Sequence, residues 1–270
     1  VNERDIWVPG NVDANTPSAA RVYDYLLGGG HNFDSDRQLA EKLLTVLPAR
    51  DMARLNREFL RRVVLEMAAL GIRQFIDLGS GIPTVGNVHE VVHAVHPDAR
   101  VVYVDYEMVA AVHSELMLAE EPNAAMVHAD MRQPEQVLRH EKTQRLIDFS
   151  EPVGMLMVGV VQFIADEDDP WALAAQYRDA IPDGSYFALS AFTTDNAPAG
   201  MAAAIEVFKN SQDPIYPRSR EEILRMFDGY TLLDPGLVYT PQWRPQQPEL
   251  ADSTAEASRS NLYAGLGIKG

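Results

Sequence analysis

The sequence predicts an α/β fold: an open sheet of seven strands, mostly parallel with an antiparallel edge, preceded by about 70 residues of helix. Three observations carry that reading. From Arg73 onward, short apolar runs rich in Val, Ile and Tyr alternate with stretches of helical period, which is how strand–helix units of a parallel sheet read. The first such run, Arg73-Gln74-Phe75-Ile76-Asp77-Leu78-Gly79-Ser80-Gly81, ends on an acid and turns on two glycines, as where backbone must approach a nucleotide-like ligand. Two late strands follow the turn signals Asp228-Gly229 and Asp234-Pro235-Gly236 and close the chain.

In order, residues 1–16 are polar and without period and read as a loose arm. Helices are expected over 17–27, from Asp34 or Ser35 to Leu47, and over 49–70. Gly28-Gly29-Gly30 ends the first as a cap and mobile joint, Pro48 stops the second, and Gly71 ends the third. Met52, Leu55, Phe59, Val63 and Met67 mark the buried stripe of the third. Strands are expected over 74–77, 100–105, 125–129, 153–161, 185–191, 230–233 and 262–268. Helical stretches between them start at Thr84, Met108, Gln133 and Pro170, with two more over 201–211 and 219–227. The Pro-, Gln- and Ser-rich segment 241–260 reads as a surface loop. The organisation expected is a helical cap over 1–70 and a sheet domain over 71–270.

Composition narrows the function classes. The 270 residues carry 39 acids against 23 bases, a net charge of -16, which repels phosphate backbones and disfavours nucleic acid as the main partner. The short basic clusters Arg57, Arg61, Arg62 and Arg218, Arg220 read as solvated helix faces. No apolar run approaches the ~18 residues of a membrane span, and Val1-Asn2-Glu3-Arg4-Asp5 lacks the basic-then-apolar pattern of a leader. Cysteine is absent, which removes disulfides and thiolate catalysis. The expectation is a cytoplasmic protein acting on a small molecule.

Asp77, Asp105 and Asp130 each stand at or just past the end of a predicted strand, so one crevice should gather all three. An acid after the second strand can accept from both hydroxyls of a ribose. The third, in His128-Ala129-Asp130-Met131, suits an adenine edge, with the Met131 N–H as donor. His89-Glu90-Val91-Val92-His93 has the spacing of a zinc-protease helix. That helix directly follows the glycine turn, however, and should bury Val85, Val88, Val92 and Val95 on the sheet with His89, His93 and His96 along its flank, so no metal is expected. Asp166-Glu167-Asp168-Asp169 before Pro170 reads as a helix start, not a calcium loop.

Taken together these residues resemble the class I S-adenosylmethionine-dependent methyltransferases, with their Rossmann-like sheet. A closer resemblance, over nearly the whole chain, is to an actinobacterial S-adenosyl methyltransferase family first catalogued as a domain of unknown function. It rests on the run from Ala20 to Gly29 (Ala-Arg-Val-Tyr-Asp-Tyr-Leu-Leu-Gly-Gly), His31-Asn32-Phe33, Asp36-Arg37, Asn56-Arg57, Phe59-Leu60, the glycine-turn stretch with Pro83-Thr84, Asn87-Val88-His89-Glu90, Val102-Tyr103-Val104-Asp105 and Trp243-Arg244-Pro245. The resemblance implies S-adenosylmethionine as cofactor, with Asp105 on its ribose, Asp130 and Met131 on its adenine, and Asp77, Gly79, Ser80 and Gly81 at its methionine end. Val158, Gly159 and Gln162 would face the methyl group. The N-terminal helices would form a lid lined by Tyr23, Tyr25, Gly29, His31 and Asn32, and Arg57, or else Arg21, would pair with the methionine carboxylate. Two departures stand out: Ile82-Pro83 replaces a third glycine, and Gln162 replaces the histidine that related sequences often carry. His31 and Gln162 are therefore the catalytic candidates on the side of an unidentified small-molecule acceptor. The alternatives are a non-catalytic sensor of the methyl donor and a nicotinamide-dependent oxidoreductase.

Overall fold

The computed structural model describes residues 12–83, 86–246 and 258–270. The first part of the expected arm, the helix start at Thr84 with Val85, and most of the 241–260 loop lie outside the described residues. Three helices come first, α1 (Ala19–Leu26), α2 (Asp34–Leu44) and α3 (Ala49–Ala69). Then follow β1 (Gln74–Leu78), α4 (Val88–His93), β2 (Arg100–Asp105), α5 (Met108–Met117), β3 (Ala124–His128), α6 (Pro134–Leu138) and α7 (Glu141–Leu146). β4 (Gly154–Val158), α8 (Pro170–Asp179) and β5 (Tyr186–Phe192) complete the parallel part. α9 (Pro198–Phe208) and α10 (Arg220–Leu224) lead to β6 (Tyr230–Leu232), β7 (Val238–Tyr239) and β8 (Leu262–Lys269).

The strands lie in the order β3-β2-β1-β4-β5-β8-β6, with β7 paired to β8. β1 to β5 run parallel, and β8 enters antiparallel between β5 and β6. The order reverses between β1 and β4, the switch point at whose carboxyl side open sheets bind ligands. β7 has only two residues, too few to show a period in sequence. Side chains alternate across the sheet, so Ile76 and Leu78 join one core with Val102, Val104 and Met155. Phe75 joins the other with Val101, Tyr103 and the α3 residues Phe59, Val63 and Met67. By the same alternation Asp77 and Asp105 both face α3.

A third apolar cluster holds the N-terminal helices: Leu26, Leu39, Leu43 and Met52 pack with Met201 and Phe208 of α9. α9 thus shares one core with the three N-terminal helices. Each fully buried side chain of this size contributes about 1.5–3 kcal/mol. The acidic run behaves as the helix start expected of it: Asp169 Oδ1 accepts from the Ala172 N–H at 3.0 Å, capping α8.

Other expectations are corrected. Arg218 is buried, donating to the Val161 and Ile164 carbonyls at 3.0 and 2.7 Å and pairing with Asp166. Arg62 ties α3 to the late chain through the carbonyls of Thr240 and Trp243, at 2.7 and 3.0 Å. Neither belongs to a freely solvated face. On α4, Val88, Val91 and Val92 are buried, but Val95 is 49% exposed because the helix ends at His93. His89 turns inward instead of lying along the flank, its Nδ1 2.7 Å from the Tyr103 hydroxyl, and burial lowers its pKa. His93 Nε2 meets the Ala99 carbonyl at 2.8 Å. Among the described residues, no helix is long and apolar enough to cross a membrane.

Candidate functional site

The carboxyl ends of β1 to β4 open into a cavity of about 360 Å³, which α1 and α3 wall off with Tyr23, Leu26, Asn56 and Arg57. One end is polar and belongs to the sheet. The other is apolar and lies within the third core cluster.

The polar end is built on the glycine turn. The N–H groups of Gly79 and Ser80 both donate to the Val104 carbonyl, at 2.8 and 3.1 Å, which draws the turn against β2. Gly79 has φ +69°, and a Cβ there would sit 2.1 Å from Val160 Cγ2, so no other residue fits. Asp105 then fastens the turn from the next strand. Its Oδ2 accepts from the Gly81 N–H at 2.7 Å and its Oδ1 from the Glu107 N–H at 2.9 Å. Each oxygen keeps a lone pair for a ligand. Burial pushes the Asp105 carboxyl up to about 6, against those two N–H groups, and Glu107 and Asp213 add to the rise. Burial likewise pushes Asp77 up to about 7, with Arg57 opposing and Asp105 reinforcing. The Ser80 hydroxyl is buried without a partner.

The other expected residues divide. Val158, Gly159, Gln162, Met131, Asp130, Arg57 and Tyr23 all line the cavity. Asp130 is committed elsewhere, however: the Arg132 guanidinium grips both its oxygens at 2.7–3.0 Å. Burial works against its charge, but Arg132 prevails and holds the carboxyl below the usual range. Met131 is fixed by the Tyr177 hydroxyl, which donates to its carbonyl at 2.7 Å. Arg57 donates to the Gly86 carbonyl at 2.9 Å.

Tyr25, Gly29, His31 and Asn32 do not reach the cavity. For Gly29, His31 and Asn32 the cause is Asp24, which is buried. Its Oδ2 accepts from the His31 N–H and from Asn32 Nδ2, both at 2.8 Å, and a Cβ on Gly29 would lie 1.9 Å from its Oδ1. The glycine run is therefore wound tightly around a carboxylate rather than left as a mobile joint. The His31 ring packs against His113 at a tilt of 52° with centroids 3.9 Å apart, and the Tyr25 hydroxyl donates to Glu41 at 2.6 Å. Arg21 is likewise turned from the cavity into a buried ion-pair cluster with Asp36 and Glu107, at 2.9 Å each.

Sequence reasoning missed Asn56, Tyr106 and Asp213 as lining residues. It also missed the apolar end, which α9 and the loop after it supply. The Tyr106 hydroxyl donates to Asp213. Asn56 stood within the motif that carried the resemblance, whereas nothing in the spacing of Asp213 or Ile215 marks them as part of a site.

Residues 5–270 match the model of a family described as S-adenosyl methyltransferase. The chain is 39% identical to a Thermobifida fusca YX protein for which a methyltransferase activity is suggested, with a TM-score of 0.91 over 98% of this chain and 99% of that one. It is 32% identical to a DUF574 family protein of Streptomyces avermitilis, with a TM-score of 0.90 over 96% of this chain and 99% of that one. No curated protein matches it significantly. The glycine turn with its unpaired Ser80 hydroxyl and the two acids on one sheet face suit the cofactor this family is named for. The chain belongs to the S-adenosyl methyltransferase family and is an S-adenosylmethionine-dependent methyltransferase.

Proposed function

We propose that the protein methylates a small-molecule acceptor lodged in the apolar end of the cavity, beneath a helical cap that α1, α2 and α3 form. The observation that carries this is the joining, in one cavity, of a polar end at the strand termini and an apolar end within the third core cluster. When bound, S-adenosylmethionine supplies a methyl group already activated on a sulfonium, so transfer forms one bond to carbon, returns the carbon–sulfur pair to sulfur and leaves the acceptor one proton to lose. The protein's part is to hold, align and exclude water.

Asp105 would accept from the ribose hydroxyls, and Ser80, Asp77 and the glycine turn would hold the methionine end, with Arg57 as partner for its carboxylate. Met131 would face the adenine through its backbone N–H. Asp130, already gripped by Arg132, would act there only by sharing a lone pair. Val158, Gly159 and Gln162 would stand where the two ends meet. The Tyr23 hydroxyl is held neutral by burial and already donates to the Ala53 carbonyl at 3.0 Å, so it would shape the wall rather than take a proton.

A pH dependence follows from the two raised carboxyls. Asp77 and Asp105, at about 7 and about 6 in the free protein, are partly protonated near pH 6. A cationic donor with hydroxyl groups favours their ionised forms, so binding expels protons. Affinity for S-adenosylmethionine should therefore rise with pH between about 5.5 and 8 and then level off, by at most about tenfold per pH unit for each coupled carboxyl. The free protein should behave oppositely. Its native state binds more protons than the unfolded chain across this window, so these groups make it less stable as pH rises. Calorimetric titration at several pH values measures both the affinity and the protons released. A flat profile would mean that neither carboxylate engages the donor.

The proposal itself is tested by titrating S-adenosylhomocysteine and a reduced nicotinamide dinucleotide separately. Binding of the first alone is the expected result, and preference for the second would overturn the assignment.

A further inference from the structure

Building on the methyl-transfer reading, we propose that the acceptor is a small uncharged molecule, apolar over most of its surface, that presents one hydroxyl or N–H to Oε1 of Gln162. Three features of the cavity point there. Its far end is walled by Leu26, Leu43, Leu47, Phe192, Phe208 and Ile215, and these residues bring no charge or hydrogen-bonding side chain. A charged acceptor would have to shed its hydration there without compensation. The charged side chains of the wall gather at the sheet end, where Asp77, Asp105, Asp130, Asp168 and Asp213 outnumber Arg57 and Arg132, while Glu107 is paired with Arg21 behind the wall. That balance repels anions such as carboxylates and phosphates.

The hydrogen-bond pattern supplies the third feature. Ser190 Oγ donates to Asn56 Oδ1 at 2.6 Å, Asn56 Nδ2 donates to the Tyr23 hydroxyl at 3.3 Å, and Tyr23 donates onward to the Ala53 carbonyl. This chain ends on itself and asks nothing of a ligand. Gln162 differs. It is 2% exposed, and its Nε2 donates to the Gly159 carbonyl at 2.6 Å. That bond fixes the amide and leaves Oε1 buried with no partner. An unpaired buried amide oxygen is destabilising, and it can only accept. The group that relieves it must bring a proton. Gln162 lines the cavity between Gly159, just after β4, and Phe163 of the apolar wall; its Oε1 is covered, so a donor meets it at the boundary of the two ends once the groups covering it shift aside. An amide does not take up a proton at neutral pH, so Gln162 is a positioning residue, and the proton the acceptor loses passes to bulk solvent outside the water-excluded chamber, on product release.

The test compares three para-substituted toluenes, the first two of one shape and the third charged and larger, each titrated into the protein saturated with S-adenosylhomocysteine and followed by ligand-observed NMR: 4-methylphenol, 1,4-dimethylbenzene and 4-methylbenzoate. The phenol is expected to bind about fivefold to tenfold more tightly than the dimethyl compound, the benefit of one satisfied hydrogen bond, and the benzoate not to bind. Gln162→Leu should erase the preference for the phenol while S-adenosylhomocysteine still binds. A purely structural role would instead weaken all probes alike. Equal binding of phenol and dimethylbenzene to the unaltered protein, or preferred binding of the benzoate, overturns the inference without need of the variant. Failure of S-adenosylhomocysteine itself to bind would instead remove the reading on which the inference rests.

Discussion

Asp105→Ala is expected to lower affinity for S-adenosylhomocysteine by about 10- to 100-fold while the protein stays folded. A hydrogen bond to a charged acceptor contributes about 1.5–3 kcal/mol, and roughly 1.4 kcal/mol is tenfold in affinity. The loss should not stop at the ribose. Asp105 also accepts from the N–H groups of Gly81 and Glu107, at 2.7 and 2.9 Å, so its removal frees the glycine turn from β2 on one side. Asp105→Asn keeps one acceptor oxygen and should fall between the two. Calorimetry measures the affinity, and a thermal melt checks that the fold survives. An alanine variant that binds as tightly as the unaltered protein would place the adenosyl group elsewhere.

The second large effect is on stability. Arg21→Met should destabilise the protein by about 3–5 kcal/mol, because breaking a buried ion pair from one side strands its partners. Arg21 is 0% exposed and pairs with Asp36 and Glu107 at 2.9 Å each, while its Nη2 donates to the Thr16 carbonyl at 2.6 Å. Loss of the guanidinium leaves two carboxylates buried, one on α2 and one at the start of α5. The melting temperature should fall by roughly 10 °C, since each kcal/mol moves a chain of this size by about 2–4 °C. Arg21→Lys should recover only part, because one ammonium cannot span so many acceptors. The same cluster fastens α1 and α2 to the residue that follows Asp105 by two. The variant is therefore also expected to weaken donor binding, although Arg21 does not line the cavity.

The comparison of sequence with structure divides along physical lines. The sheet was legible because strands buried on both faces read as short apolar runs, and because glycines and acids mark the turns at their carboxyl ends. Asp77, Asp105, Gly79 and Gly81 could be placed for that reason. Tyr25, His31 and Asn32 could not. A glycine run after a helix reads as a loose joint, and nothing in the local pattern tells that Asp24 is buried and gathers the run around itself. Arg218 and Arg62 misled in the same way, since a cation bonded to carbonyls from distant segments looks, letter by letter, like a solvated one. His89 read as a flank residue because the partner that draws it inward, Tyr103, lies on β2. The apolar end of the cavity was the least legible part. It is assembled from α1, α2, α9 and the loop after α9, segments separated by more than a hundred residues, and only their packing reveals that the third core is hollow.

The most direct measurement is a crystal structure of the protein with S-adenosylhomocysteine. The account predicts density for the adenosyl group against Asp105 and the turn at residues 79–81, with the apolar chamber beside Gln162 left for the acceptor. Density that fills the apolar chamber instead, or that leaves Asp105 and the glycine turn uncontacted, would contradict it.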